Sequence, residues 1–406
     1  MSESDKEPVE MGKTEMPRPA GGLQMKRLPC NDRINWMDPM RGAAALLVCA
    51  AHTYYALVAP VTGLKVPVAR VLNGLAYQSV FIFFAISGLA ITQSILRGIA
   101  CKGRFEVREY LAARLGRLYP PLLAAVLLGA AVYFLIQTFE LSGKVTFSLP
   151  GDHYVLRNKA AWKLKEVWAP LTFLSTVFVP GGTSMNGSLW SLNFEFWLYV
   201  FAGLCAAFCS NGSRMAGAIL LCLLGCFVFQ HPPSSFYFWY APVWIFGAFM
   251  VGVRACPSVR WVRAVSRAVV LLAAVTILWF VWRFSFACLL PSNTKLGASL
   301  VHACAAVLCI SGLDRMWHGS FTQVGKLLSW SAGYSYTLYV IHFPLLLLSM
   351  ALIRPALARY PFWAVCGCAT AVFVGINGSA WLLSRFLERP GLLRDRLRVI
   401  LRCGTH

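Results

Sequence analysis

Three ionisable residues stand where the chain is otherwise apolar. Arg41 and His52 lie eleven residues apart in the run MRGAAALLVCAAH. On an α-helix that spacing turns about 20° beyond three full turns, so both side chains leave from one face. The rise between them is roughly 16 Å, about half the hydrocarbon thickness of a bilayer. Glu195 lies roughly 9 Å into a second apolar run and is the one acid clearly inside such a run. Ionisable groups in hydrocarbon are costly and face a partner or a water-filled cavity. A neutral imidazole beside a hydroxyl can act as general base. A guanidinium at the mouth of the same helix face can hold a phosphate. A carboxylate at the depth of the imidazole can orient it. Together these groups point to group transfer inside a membrane, with the donor arriving from one side. Each also has a plainer reading: His52 as a hydrogen-bonded structural histidine, Arg41 as an interface cation. Whether Glu195 touches His52 is not legible in the sequence.

The elements that must position them are set by composition. The chain has 406 residues, 58% hydrophobic and 13% charged, with a mean hydropathy of +0.62. One soluble core cannot bury that much apolar side chain behind so little polar surface. A soluble globular enzyme and a disordered chain are both excluded. Apolar runs recur near 37–60, 72–96, 118–139, 189–209, 215–231, 236–253, 268–290, 297–313, 332–353 and 362–384. Backbone groups in lipid need partners within the segment, and no barrel-like alternation is present. The expected fold is all-α: a polytopic membrane protein of about ten transmembrane helices. Residues 35–390 form the transmembrane domain. Residues 1–34 read as a disordered cytoplasmic tail and 391–406 as a basic cytoplasmic tail. No apolar run precedes residue 43, so the start does not read as a signal peptide.

Charge fixes the expected orientation. Thirty-seven Lys and Arg face sixteen Asp and Glu, a net charge of +21. On a soluble chain this would point to nucleic acid. With both termini cytoplasmic, 26 of the 37 fall on the inner side, so the excess reads as topology and no nucleic-acid partner is implied. The long outer segment 140–188 runs against the rule, carrying Lys144, Arg157, Lys159, Lys163 and Lys165. It also holds Pro150-Gly151, Pro180-Gly181-Gly182 and the aromatic stretch from Trp162 to Phe178, and a loop of that length is usually functional. It is expected to lie on the membrane or dip into it. The fourteen cysteines include no CxxC, and Cys366 and Cys368 have no histidine nearby. They read as small apolar packers rather than metal ligands. No inverted repeat of the transporter kind is visible.

At these positions the chain resembles the acyltransferase 3 family of integral membrane O-acyltransferases. Arg41, ten intervening residues and His52 resemble the family's opening helix. Phe83-Phe84-Ala85-Ile86-Ser87-Gly88-Leu89 is similar to its FFxxSGF element. Arg114-Leu115-Gly116-Arg117-Leu118-Tyr119-Pro120, placed in a cytoplasmic loop, resembles its basic RxxRxxP segment. Trp190-Ser191-Leu192-Asn193-Phe194-Glu195 resembles WSLxxE. His342-Phe343-Pro344 and Glu388-Arg389-Pro390 resemble its closing HFP and ERP elements. The chain departs at Met40, where many members have Leu, and at Phe196, where many have a second acid.

The resemblance implies ten spanning helices in the inner (cytoplasmic) cell membrane. It implies acyl transfer, acetyl first among the groups, from cytoplasmic acyl-CoA to a hydroxyl of an extracytoplasmic or lipid-linked carbohydrate. His52 and Glu195 would be catalytic, and Arg41, Arg114 and Arg117 would hold the donor. Ser87, Trp190, Ser191, Tyr199 and His342 would line or support the pocket. No bound cofactor or metal is implied; acyl-CoA is a co-substrate. Larger members append an SGNH-type hydrolase domain, and this chain reads as the standalone form. Plainer readings stay beside these: Ser87-Gly88 as a small-residue helix contact, Arg114 and Arg117 as interface anchors. His342 also reads as a core histidine in a kinked helix, and Trp190 and Tyr199 as packing aromatics. The rival for the whole chain is a transporter or flippase for a glycan intermediate.

Overall fold

The computed structural model describes residues 34–175, 183–229, 235–255, 260–284, 295–316 and 323–388. The expected tails (residue 34 apart), Pro180-Gly181-Gly182 and the Arg389-Pro390 end of the ERP element lie outside the described residues. Among the described residues there are helices and loops but no strand. The helices are α1 (Met37–Thr62), α2 (Pro67–Lys102), α3 (Val107–Thr138), α4 (Lys165–Leu171), α5 (Leu189–Asn211) and α6 (Arg214–Phe229). They continue as α7 (Ser235–Ala255), α8 (Arg260–Phe284), α9 (Lys295–Met316), α10 (Gln323–Ala332), α11 (Ser335–Leu357) and α12 (Phe362–Leu387).

Seven of these are long and apolar enough to cross a bilayer: α1, α2, α3, α5, the Ser299–Met316 part of α9, α11 and α12. The other three expected spans also fall on helices, α6, α7 and α8, of 16, 21 and 25 residues. Large apolar side chains face outward from α8 (Leu271, Leu278, Trp282) and α12 (Phe362, Trp363, Phe386). Exposed apolar surface of that extent needs lipid against it.

Hydrogen bonds fix which helix ends share a face. The Arg41 Nη2 donates to the Ala332 carbonyl at 3.0 Å, joining the start of α1 to the end of α10. The Phe105 amide reaches Asn211 Oδ1 at 3.1 Å, joining the α2–α3 turn to the end of α5. We call this the Arg41 face. At the opposite face, the His153 amide donates to the Pro60 carbonyl at 3.0 Å. Asp152 is ion-paired with Arg354 near the end of α11, both largely buried. The long loop between α3 and α5 is therefore fastened across the ends of α1 and α11. Two of its aromatic residues turn into the bundle: Phe147 and Phe173 are buried, and Phe173 stacks on Phe196 with ring centroids 4.0 Å apart.

Two features were not expected. Arg114 and Arg117 lie on α3, not in a loop before it, because the helix runs through Pro120 and Pro121. The charged residues before Leu118 break the apolar run, which is why the expected span started there although the helix itself starts at Val107. The second is α10, a separate ten-residue helix packed on α1. The α1–α10 approach is close because Gly42 has no side chain; an added Cβ would strike the Leu328 carbonyl and the Ser331 hydroxyl. The α2–α7 pair uses the same device in both directions. Gly88 abuts the Trp244 carbonyl and Gly247 abuts the Ala85 carbonyl. Close backbone approach of this kind favours packing between helices in lipid.

Candidate active site

Immediately after His52, α1 widens into one π-turn over Tyr54–Val58. Pro60 has no amide to give the Ala56 carbonyl, so the regular ladder cannot continue there. Single π-turns of this kind are frequent at functional sites. His52, just before it, has His342 of α11 as its partner: Nδ1 and Nε2 are 2.8 Å apart, and the rings are nearly parallel with centroids 5.1 Å apart.

The protons of this pair follow from hydrogen-bond capacity. His342 Nδ1 lies 3.0 Å from the Leu338 carbonyl, which can only accept. That nitrogen therefore carries the hydrogen. In a neutral ring Nε2 then holds a lone pair, and His52 Nδ1–H donates to it. His52 Nε2 is left as the lone pair with no protein partner among the described residues.

The helix carrying His342 is shaped by Pro344. The missing amide frees the Val340 carbonyl one turn back. Asn186 Nδ2 takes it at 2.7 Å. Ser188 Oγ donates to Asn186 Oδ1 at 2.6 Å and lies 3.1 Å from the Tyr339 carbonyl. The segment entering α5 thus clamps α11 at the carbonyl its proline leaves free. At the start of α11, Glu388 accepts from the Thr337 amide at 2.9 Å and its hydroxyl at 2.6 Å. A carboxylate there satisfies amides that a helix start leaves unpaired.

A cavity with about 800 Å³ of empty space, its mouth included, runs between α1, α2, α3, α5 and α11. Arg41, Arg114 and Arg117 line it, as do Ser87, Ser191, Glu195, Tyr199, Tyr336 and Tyr339. Arg117 is enclosed by protein yet exposed, because its open surface is the cavity wall. It forms no ion pair among the described residues. Arg114 donates to Ser94 Oγ at 2.7 Å and packs against the Tyr110 and Tyr199 rings. Arg41 lies 3.5 Å from Asp38 besides its bond to Ala332.

Glu195 sits in this cavity, not on His52. Ser87 Oγ donates to its Oε1 at 3.1 Å, and the Tyr199 hydroxyl donates to the same oxygen. No hydrogen bond or ion pair joins Glu195 to His52 among the described residues. Ser87 also accepts from Trp244 Nε1 at 3.3 Å. Ser87-Gly88 therefore does both things read from it: the glycine makes the helix contact and the serine lines the cavity. Trp190 does not line it; its ring packs on Phe194 and Tyr240.

Tyr339 joins the cavity to the histidines. Its hydroxyl is 2.6 Å from Ser191 Oγ, and its ring centroid is 6.0 Å from that of His342. The arginines, Glu195, Tyr199, Tyr336, Ser191 and Tyr339 line the cavity, and the histidine pair lies behind Tyr339, outside the lining. Tyr336 and Asn186 were not singled out from sequence as site residues; Tyr339 was read as a packing aromatic, and Glu388 only as part of the ERP element. Asn186 acts on a helix carbonyl 154 residues away, which no local pattern marks. Among the described residues no group of three His, Cys, Asp or Glu is placed to hold a metal.

A family model described as an acyltransferase domain matches residues 34–378. The chain belongs to this acyltransferase family. An O-acetyl transferase of Shigella phage Sf6 is 26% identical over 189 residues, covering 46% of this chain and 50% of that protein. The chain thus spans about half the length of the curated relative it matches. No solved structure matches.

Proposed function

We propose that this chain is a ten-span membrane O-acyltransferase with both termini in the cytoplasm and its home in the inner cell membrane. It moves an acyl group, acetyl first, from cytoplasmic acyl-CoA to a hydroxyl of an extracytoplasmic or lipid-linked carbohydrate. The observation that carries the reading is the pairing of an arginine-lined cavity at one face with an unpartnered imidazole lone pair beyond its inner end. The phage O-acetyl transferase likeness supports acetyl as the group and a hydroxyl as its target.

In this reading the phosphates of acyl-CoA sit at Arg117, Arg114 and Arg41, where guanidinium forks suit phosphate oxygens. The thioester passes Glu195 and Tyr339 toward His52. The acceptor hydroxyl gives its proton to His52 Nε2 while its oxygen bonds the thioester carbon. The carbon–sulfur bond breaks, and the CoA thiolate leaves with the proton from the imidazolium. The products are the ester and CoA-SH. His342, its Nδ1 proton held by Leu338, keeps His52 in the tautomer that presents Nε2.

Mass spectrometry of surface glycans tests the reading. Glycans from cells with the gene are expected to carry an acyl mass increment on sugar hydroxyls that cells without it lack. Identical glycans, with the protein present in the membrane, would sink it.

A further inference from the structure

The loop at the face opposite Arg41 carries cations that topology does not call for. Lys144 is paired with Glu140 and Asp152 with Arg354. That leaves Arg157, Lys159, Lys163 and Lys165 against one acid, Glu166. Glu166 is buried, its oxygens are taken by the Ser184 amide and hydroxyl, each at 2.8 Å, and its charge reaches Arg157 without forming an ion pair with it. The three lysines are exposed and form no ion pair among the described residues.

Arg157 is different: it reaches inward to the histidine site. Its guanidinium carbon lies 5.3 Å from the centre of the Phe343 ring. Phe343 in turn sits edge-on to His52, centroids 5.8 Å apart. Arg157 Nη2 donates to the Thr183 carbonyl at 3.1 Å, while Nε has no partner. The space it occupies exists because residue 187 is glycine; a Cβ there would lie 2.6 Å from Nη2.

A fixed cation beside a general base opposes the base taking a proton, since two like charges then face each other in a poorly screened site. A bound anion removes that conflict. We infer that Arg157 holds an acidic group of the acceptor beside His52, so that the acceptor is a carboxylate- or phosphate-bearing carbohydrate. Lys159, Lys163 and Lys165 form the outer, steering part of the same cationic approach. The inference rests on the reading of His52 as the base.

The test uses cells making equal amounts of wild-type, Arg157→Gln and Arg157→Lys protein. Surface glycans are separated by charge and the acyl mark is located by mass spectrometry. The mark is expected on acidic glycans. It should fall roughly tenfold or more in Arg157→Gln and partly survive in Arg157→Lys, as loss of a charge-assisted contact predicts. Acetyl-CoA binding by the purified variants should match wild type, which a folding defect would not allow. A mark confined to neutral glycans overturns the inference, as does full activity of Arg157→Gln or equal loss on acidic and neutral glycans. So does transfer in vesicles that needs phosphatidylglycerol whatever the acceptor's charge, since Arg157 would then serve a lipid headgroup. Full activity of His52→Ala would instead sink the base assignment itself.

Discussion

Replacing His52 with alanine is expected to lower acyl transfer by roughly 10²–10⁴-fold, the usual contribution of a positioned general base. Binding of acyl-CoA should stay within about twofold of wild type, because no donor contact is assigned to His52 and its loss leaves the arginine cavity intact. The hydrogen-bond chain adds a graded companion. His342→Leu removes the acceptor that holds His52 Nδ1–H, so His52 can flip to the tautomer with its lone pair on the wrong nitrogen. It should lose most of the His52→Ala effect. His342→Gln offers an amide oxygen to the same proton and should keep more activity than His342→Leu. Radiolabelled acetyl transfer and equilibrium acetyl-CoA binding, on one membrane preparation, read both quantities. Full transfer by His52→Ala would contradict the base role. Equal activity of His342→Leu and wild type would contradict the tautomer argument alone.

The second large effect is expected at Arg117. Arg41 and Arg114 already have protein partners, Ala332 with Asp38 and Ser94 respectively. Arg117 faces the cavity in the fields of Glu195 and Glu388, with no hydrogen bond or ion pair among the described residues, so an incoming phosphate has no direct contact of Arg117 to displace. Arg117→Gln should raise the KM for acyl-CoA roughly 10–100-fold, the worth of a charge-assisted contact of about 1.5–3 kcal/mol. At saturating donor the kcat should change little, since a contact made equally in ground and transition states affects binding alone. Arg114→Gln and Arg41→Gln should show the same split with smaller KM changes. An Arg117→Gln variant with unchanged KM and a collapsed kcat would move Arg117 out of the donor site and into the chemistry.

Much of this was legible in the sequence, for physical reasons that also mark where legibility stopped. Helical spacing put Arg41 and His52 on one face, and the scarcity of acids singled out Glu195, which does line the cavity. Over the described residues each expected span falls on a helix, and seven of those helices are long and apolar enough to cross a bilayer, because apolar length is a property of a single segment. The partner of His52 was not legible. It lies 290 residues away, and periodicity says nothing of which helices touch. The third span shows the limit most clearly. It was read as beginning at residue 118, with Arg114 and Arg117 in the loop before it, yet α3 begins at Val107 and carries both arginines into the cavity wall. Pro344 frees a carbonyl for Asn186, an effect seen only once α5 and α11 are side by side. Arg157 looked like a mild breach of the charge rule; the structure sets it against Phe343, which packs edge-on to His52.

The most direct measurement supplies the donor to one face at a time. The protein is reconstituted in vesicles in a single orientation, with labelled acetyl-CoA added at the Arg41 face or at the loop face and the acceptor on the other side. Label should reach the acceptor only when acetyl-CoA is at the Arg41 face, and Arg117→Gln should weaken that transfer. Equal transfer with acetyl-CoA at the loop face would contradict a donor cavity entered past Arg41, Arg114 and Arg117.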